Sequence, residues 1–325
     1  MKPSFIHKLV NNPFDDPCVY LRIMHEKRAL LFDIGDISNL SQGELFKITD
    51  VFVSHTHIDH FIGFDYLLRA ILKRNTPLNI YGPANIIDCI EGKLKGYTWN
   101  HIKEYPIKIY VNEVKDSFIY SYVFDAENIF QKKQTGIKNF NGLLLDEPLF
   151  KVKAIQMNHQ IPCLGFKLEE NYHININKAL LTERGLPVGP WLSEFKEAIR
   201  LNKGLNTEFT INDEKYKLED LIDISSITEG QKIAYITDAS PEEENILKII
   251  DFVSGSDVLY CEAYFMKKDK EQAIKRFHLT SDLTGRIARE AGVKELIAIH
   301  FSPRYMKLKE NPHDEAISYF KNRFF

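Results

Sequence analysis

The sequence predicts a fold that mixes strands and helices and gathers a metal centre at the ends of its strands. Two observations carry this expectation. The first is the stretch 51–63. Val51, Phe52 and Val53 read as the end of a buried strand, and 61–72 is an amphipathic run expected to be a helix. Between them stand His55, His57, Asp59 and His60, four potential metal ligands on a strand-to-helix loop. Alternate residues of an extended segment point the same way, so His55 and His57 can approach one ion together. Asp59 and His60, past the bend, can face a second. The second observation is a recurring grammar in which a buried strand ends and a His or Asp follows: His159, Asp238 and His300 all stand this way.

Taken in order, the chain opens with strands at 18–24 and 29–35, then a helix around 40–48 before the strand that ends at Val53. A strand at 77–83 closes on Gly82-Pro83, and 84–94 looks helical. Segments 107–114 and 117–124 alternate as neighbouring antiparallel strands, whereas 131–141 is polar and reads as a loop. The strand 149–158 delivers His159, and a turn marked by Pro162 leads to a strand at 163–170. Segment 171–210 is mixed polar and broken by Gly185, Pro187, Gly189 and Pro190; it reads as a projecting arm with short helices within one domain that spans 1–325. The strand 232–237 presents Asp238. Ser240-Pro241-Glu242-Glu243 then looks like a helix cap, a first-turn proline and acids at the positive helix end. A strand at 258–265 carries Glu262, and His278 precedes a helix at 281–291 stopped by Gly292. The strand 295–299 presents His300, and a helix from about Asp314 closes the chain.

At 325 residues with 44% hydrophobic and 27% charged residues, the composition is that of a soluble globular protein. No apolar run approaches the ~20 residues a membrane span needs. Met1-Lys2-Pro3-Ser4 lacks the apolar core of a signal peptide. Cys18, Cys89, Cys163 and Cys261 are scattered, which suggests reduced, mostly buried thiols in a cytoplasmic protein rather than a disulfide frame. The net charge of -3 offers no global attraction to a polyanion, so nucleic acid would need a local basic surface.

The seven residues at strand ends complete a set for two ions, expected to be zinc because imidazole and carboxylate suit it, with Mn or another divalent metal as the alternative. His55, His57 and His159 are assigned to one ion, Asp59, His60 and His300 to the other, and Asp238 bridges. His7, His25, His101, His173 and His313 lack this context and read as surface or structural. Two divalent ions sharing a water suit hydrolysis of an ester, amide or phosphodiester, with no serine or cysteine nucleophile.

The pattern His-x-His-x-Asp-His resembles the signature of the metallo-β-lactamase superfamily. A narrower resemblance rests on blocks in a fixed order: 77–83 with its Gly82-Pro83, the Gly189-Pro190 segment, 230–235, Cys261-Glu262-Ala263, His278-Leu279-Thr280 and His300-Phe301-Ser302-Pro303-Arg304-Tyr305. Over about 29–305 these resemble the ribonuclease Z family, endonucleases that trim the 3′ end of precursor tRNA. That resemblance implies an α+β fold, an αββα sandwich of the metallo-β-lactamase type, with two zinc ions, a homodimer, and an arm at 171–210 that grips the tRNA body through Gly189 and Pro190. It implies catalytic roles for Asp59 and for the pair Glu262 and His278, which assists at the scissile phosphate. Arg304 is expected to bind a phosphate oxygen bidentately.

The chain also departs from the family pattern. Phe5-Ile6-His7-Lys8 stands in place of a glycine-rich first turn, Ile58 in place of a glycine, and Cys261 and Tyr264 flank Glu262-Ala263. In the arm, Lys178, Arg184, Lys196, Arg200 and Lys203 are offset by Glu183, Glu194, Glu197 and Glu208. Two other readings compete: a phosphodiesterase acting on small or cyclic nucleotides, against which a functional arm argues, and a non-catalytic RNA-binding relative, against which the complete ligand set argues.

Overall fold

Eight strands follow one another in space as they do in sequence. In a computed structural model that describes residues 3–322 they are β1 (Phe5–Leu9), β2 (Val19–Ile23), β3 (Ala29–Phe32), β4 (Ile48–Phe52), β5 (Leu78–Pro83), β6 (Lys108–Lys115), β7 (Phe118–Asp125) and β8 (Lys133–Asn139). Met1 and Lys2, part of the N-terminal stretch read above, lie outside the described residues. The pairs from β3 to β6 are parallel and therefore need crossovers. These are α1 (Gln42–Leu45), α2 (Ile58–Phe61) with α3 (Phe64–Ile71), and α4 (Ile86–Lys95).

The second sheet begins with β9 (Leu143–Asp146), β10 (Phe150–His159) and β11 (Ile161–Glu170). The chain then leaves it through β12 (His173–Ile176), α5 (Lys178–Glu183), α6 (Trp191–Arg200), β13 (Glu208–Ile211), β14 (Glu214–Lys217), α7 (Leu218–Leu221) and β15 (Ser225–Thr228). It returns as β16 (Lys232–Ile236), α8 (Glu243–Val253), β17 (Val258–Glu262), α9 (Lys270–Arg276), α10 (Ser281–Glu290), β18 (Glu295–Ile299) and α11 (Pro312–Phe320). The strand order is β18-β17-β16-β11-β10-β9.

Period-two alternation stacks these sheets. Leu30, Phe32 and Phe52 on one side meet Phe166, Ile233, Tyr235 and Tyr260 on the other in a shared apolar layer. Phe32 stacks on Phe166 with ring centroids 5.6 Å apart. The alternate residues Leu31, Val51 and Ile80 turn outward against Leu67, Leu68 and Ile90 of α3 and α4. Ala234, Ile236 and Leu259 turn outward against Ile246, Ile249 and Ile287 of α8 and α10. Burying each large side chain contributes about 1.5–3 kcal/mol. The order of layers is helix, sheet, sheet, helix, the expected αββα sandwich.

Several elements differ from expectation. The helix expected at 61–72 is broken, with α2 ending at Phe61 and α3 starting at Phe64. The Gly63 N–H donates to the Ile34 carbonyl (2.9 Å), which takes it out of the helical ladder. The loop expected at 131–141 contains β8, whose seven residues are all exposed and so carry no alternation. β1 was not foreseen; only Phe5 of its five residues is buried. The turn between β10 and β11 sits at Gln160, with φ of 60°, while Pro162 pairs with Asn158 inside the ladder. The helix expected to be capped by Ser240 begins at Glu243, because the Ser240 N–H is bonded to the Asn158 carbonyl (2.8 Å). All four cysteines are free; Cys18, Cys163 and Cys261 are buried and Cys89 partly so.

The excursion from β12 to β15 has its own apolar core of Leu181, Trp191, Phe195, Phe209, Leu221 and Ile224. β12 and β15 pair antiparallel, His173 opposite Thr228, and close its base. Gly189 and Pro190 stand just before α6, where the Trp191 indole N–H donates to the Pro187 carbonyl at 2.8 Å. Among the described residues no helix is long and apolar enough to cross a membrane.

Candidate metal centre

The ligand loop follows β4 directly and is pinned by two close approaches. A Cβ on Gly35 would lie 2.4 Å from the Asp59 carbonyl oxygen, and one on Gly63 would lie 2.3 Å from the Gly35 carbonyl oxygen, so both positions need glycine. The Ile34 N–H donates to the His60 carbonyl at 3.0 Å. Ile58 opens α2 and is 72% exposed, so its side chain disturbs nothing in this packing. From the second sheet, His159 ends β10, and Asp238, Glu262 and His300 stand at or just past the ends of β16, β17 and β18. Asp33, Asp238 and His300 have φ of 55°, 53° and 54°, a left-handed conformation that Asp and His accept more readily than most residues. Each buried strand thereby stops and turns its last polar side chain into the site.

The structure brings the seven expected ligands together, with the Asp238 carboxylate among four of the histidines. Asp238 Oδ1 lies 3.9 Å from His55 Nε2 and 3.4 Å from His159 Nε2. Its Oδ2 lies 3.1 Å from His60 Nε2 and 3.3 Å from His300 Nδ1. His57 Nδ1 is 2.9 Å from His55 Nε2. Asp59 Oδ2 lies 3.4 Å from His60 Nε2 and 3.5 Å from His300 Nε2. Donor atoms of His55, His57 and His159 fall within 4.8 Å of one another, and so do those of Asp59, His60 and His300.

These residues fit a metal on independent grounds. The fully buried His60 Nε2 has no hydrogen-bond partner, despite its 3.1 Å approach to Asp238, and points into the cluster. Leaving such an atom unpaired is costly unless something else coordinates it. The far side of each key imidazole is held as metal-bound histidines are usually held. His60 Nδ1 meets Asp33 at 2.8 Å, His159 Nδ1 meets the Phe277 carbonyl at 2.8 Å, and His55 Nδ1 meets Ser54 Oγ at 3.1 Å.

The electrostatics follow from burial and from this one carboxylate. Burial, with the neighbouring His60 charge, pushes His55 down to about 2, and burial lowers His57 as well. Burial works against the charged form of His300 too, but the Asp238 carboxylate wins and raises it to about 10; His60 is raised well above its usual value by Asp238 and Asp33 against the same opposition. Asp238 is buried, yet His300, His60 and His55 hold it well below the usual carboxylate range. Without metal the cluster is thus a stack of neutral and cationic imidazoles around buried acids. A metal ion bound there would compete with the protons that Asp238 favours on His60 and His300.

A pocket of about 290 Å³ opens over this cluster. Glu262, fully buried, accepts from the Ala239 and Leu279 N–H groups at 2.8 and 3.1 Å and from His278 Nδ1 at 2.8 Å. Burial alone would raise its carboxyl; His278 and His300 outweigh this and bring it to about 2. His278 faces the pocket and stacks on Tyr264, with centroids 4.0 Å apart at 11°. Arg304 is not brought into the pocket. Its guanidinium lies over the Phe265 ring at 4.9 Å and 3.4 Å from Asp269.

Sequence reasoning missed Asp33, although it follows the buried run Ala29-Leu30-Leu31-Phe32 and obeys the same strand-end grammar. Its carboxylate accepts from the Ser54 N–H and hydroxyl (2.6 and 2.7 Å) and from the Tyr235 hydroxyl (2.6 Å), besides holding His60. Among the histidines set aside, His7 meets the Tyr260 hydroxyl at 2.8 Å and His173 meets Glu170 at 3.1 Å.

The layers and the site define a metallo-β-lactamase fold, and solved structures share it. The short form of human tRNase Z superposes with a TM-score of 0.51 at 20% identity, covering 93% of each chain. The metallo-β-lactamase fold protein YhfI of Bacillus subtilis gives 0.53 at 17% identity, covering 98% of this chain and 92% of that one. The sequence relatives are narrower: they are named ribonuclease Z, and the chain is similar to them over most of its length. It is 29% identical to ribonuclease Z of Deinococcus radiodurans over 281 residues, 85% of this chain and 83% of that protein. Ribonuclease Z of Nanoarchaeum equitans is 28% identical over 287 residues, 86% of this chain and 76% of that protein. No protein-family model matches the chain.

The grouping of donors sets an expected stoichiometry. Protein purified without chelator should carry about two zinc or similar divalent ions per chain by elemental analysis. A value that stays at one after supplementation would remove the dinuclear assignment.

Proposed function

We propose that this protein is a metal-dependent endoribonuclease that hydrolyses one phosphodiester bond at the 3′ side of precursor tRNA. The observation that carries the reading is Asp238, whose two oxygens face two separate donor groups, in a chain that resembles ribonuclease Z over most of its length. His55, His57 and His159 would hold one ion, Asp59, His60 and His300 the other, and Asp238 both. Two such ions supply an activated water and polarise the phosphate under attack.

The chain's own residues do the rest. Asp59 and Asp238 place fixed negative charge on both sides of His60 and His300 and orient those imidazoles. Glu262 holds the Nδ1 proton of His278, which leaves Nε2 free to meet the departing oxygen at the pocket. Tyr264 fixes the plane of that ring by stacking. The β12–β15 excursion serves as an exosite for the tRNA body. The side chains of its exposed Lys178 and Lys203 make no hydrogen bond or ion pair within the described chain, whereas Arg184 is tied to Asp223.

Replacing residues 177–224 with a short Gly/Ser turn keeps the β12–β15 pairing and tests this. Metal content and hydrolysis of bis(p-nitrophenyl) phosphate should persist, while cleavage of precursor tRNA should fall steeply through weaker, salt-sensitive binding. Full processing by the shortened protein would sink the exosite. If neither form cuts precursor tRNA while both cut the small ester, a small-phosphodiester enzyme is the correct reading.

A further inference from the structure

Lys275, Arg276 and Phe277 stand in sequence at the end of α9 and all line the pocket over the metal centre. Phe277 ends the helix with φ of 58°, a left-handed conformation that favours glycine and is strained for a phenylalanine. The strain is held by two groups. The Phe277 N–H reaches the Ala273 and Ile274 carbonyls, and its own carbonyl accepts from His159 Nδ1 at 2.8 Å. The turn therefore has a fixed position relative to the site, and it carries the two preceding cations to the pocket's edge.

Their surroundings are unusual for this part of the molecule. Several nearby cations are engaged: Lys268 pairs with Glu310, Lys267 with the Tyr319 hydroxyl, and Arg304 with Asp269, while Lys270, unpaired within the described chain at the start of α9, does not line the pocket. Lys275 and Arg276 are exposed and adjacent in sequence, and their side chains make no hydrogen bond, ion pair or ring contact within the described chain. The Phe277 ring is partly exposed and meets no other aromatic ring among the described residues, whereas Tyr264 across the pocket is already occupied by His278. Two unpaired cations beside an unpartnered phenyl ring form the combination that binds single-stranded nucleic acid, phosphates to the cations and a base face to the ring. A duplex offers no free base face, which points to an unpaired strand.

We propose that Lys275, Arg276 and Phe277 form a single-strand subsite that clamps the RNA beside the scissile bond, the cations on backbone phosphates and the ring on one base. This rests on the endoribonuclease reading and adds a recognition site to it. It also moves phosphate binding at the pocket from Arg304 to the α9 turn.

The test compares the metal-loaded protein's binding to two RNAs by fluorescence anisotropy: a precursor tRNA made cleavage-resistant at the junction, and the same tRNA trimmed back to its acceptor stem. The unaltered protein should prefer the extended RNA. In K275A/R276A that preference should shrink, and the slope of log affinity against log salt for the extended RNA should fall by about 1.4, two phosphates at ~0.7 each. F277G keeps the backbone carbonyl that holds His159 and relieves the left-handed strain. It should weaken binding of the extended RNA about 5- to 100-fold, with metal content and melting temperature retained. An unchanged preference and slope in K275A/R276A, with unaltered binding by F277G, would overturn the clamp and leave the cations as partners of the α9 C-terminus alone. If the unaltered protein binds the two RNAs equally, the clamp falls. If it binds neither and cuts no precursor tRNA, the endoribonuclease reading falls with it.

Discussion

Asp238→Ala is expected to reduce the metal content to one ion or fewer per chain and to lower phosphodiester hydrolysis by more than the 10–100-fold typical of residues that only support a ligand. The reason is its position. This one buried carboxylate lies within 3.9 Å of His55, His159, His60 and His300, and among the described residues no other acid lies this close to histidines of both donor groups. Its removal also withdraws the charge that raises His60 and His300. Elemental analysis alongside the rate on a small phosphodiester checks this. Two ions per chain in Asp238→Ala would show that the carboxylate is not shared.

His278→Ala is expected to separate proton handling from metal binding. Both ions should remain while the rate falls about 10²–10⁴-fold, the usual contribution of a positioned acid or base. Glu262→Gln should show a similar loss, and the double variant little more, because the two side chains act as one unit. The structure frames the competing outcome. Asp238, Glu262, His278 and His300 also lie close enough together to hold an ion. A drop in metal count in His278→Ala would assign that imidazole to coordination. A near-normal rate with both ions present would make the pair structural.

The site was legible in the sequence to the extent that its residues obey local rules. His55, His57, Asp59 and His60 announce themselves by spacing, and His159, Asp238 and His300 by standing where an apolar run stops. The groups that hold those ligands were not legible in the same way. His60 and Asp33 are 27 residues apart, and Tyr235 is 202 residues from Asp33, so their meeting depends on how two sheets stack. The same holds for β8, which pairs with β7 although every one of its residues faces water. The break at Gly63 was hidden because Phe61 and Phe64 are both buried, which continues a helical pattern across the interruption. Lys275 and Arg276 carry no signal of their own in the sequence; their place at the pocket follows from the left-handed turn at Phe277.

The Tyr235 hydroxyl that donates to Asp33 has a consequence for how the molecule responds to change. Tyr235 belongs to the second sheet and to the apolar layer between the sheets, while Asp33 follows β3 of the first and grips His60. The donor set is divided the same way, His55 to His60 from one sheet and His159, Asp238 and His300 from the other. The spacing of the donors is therefore a gauge of how the two sheets sit against each other. Tight interiors pass small displacements on rather than absorbing them. A substitution that lets the sheets slide, made in the aromatic layer around Phe32 and Phe166 and touching no ligand, thus detunes the centre as surely as one made within it. Coordination and sandwich packing form a single cooperative unit, and tolerance to mutation in the hydrophobic middle is limited by the chemistry at its edge.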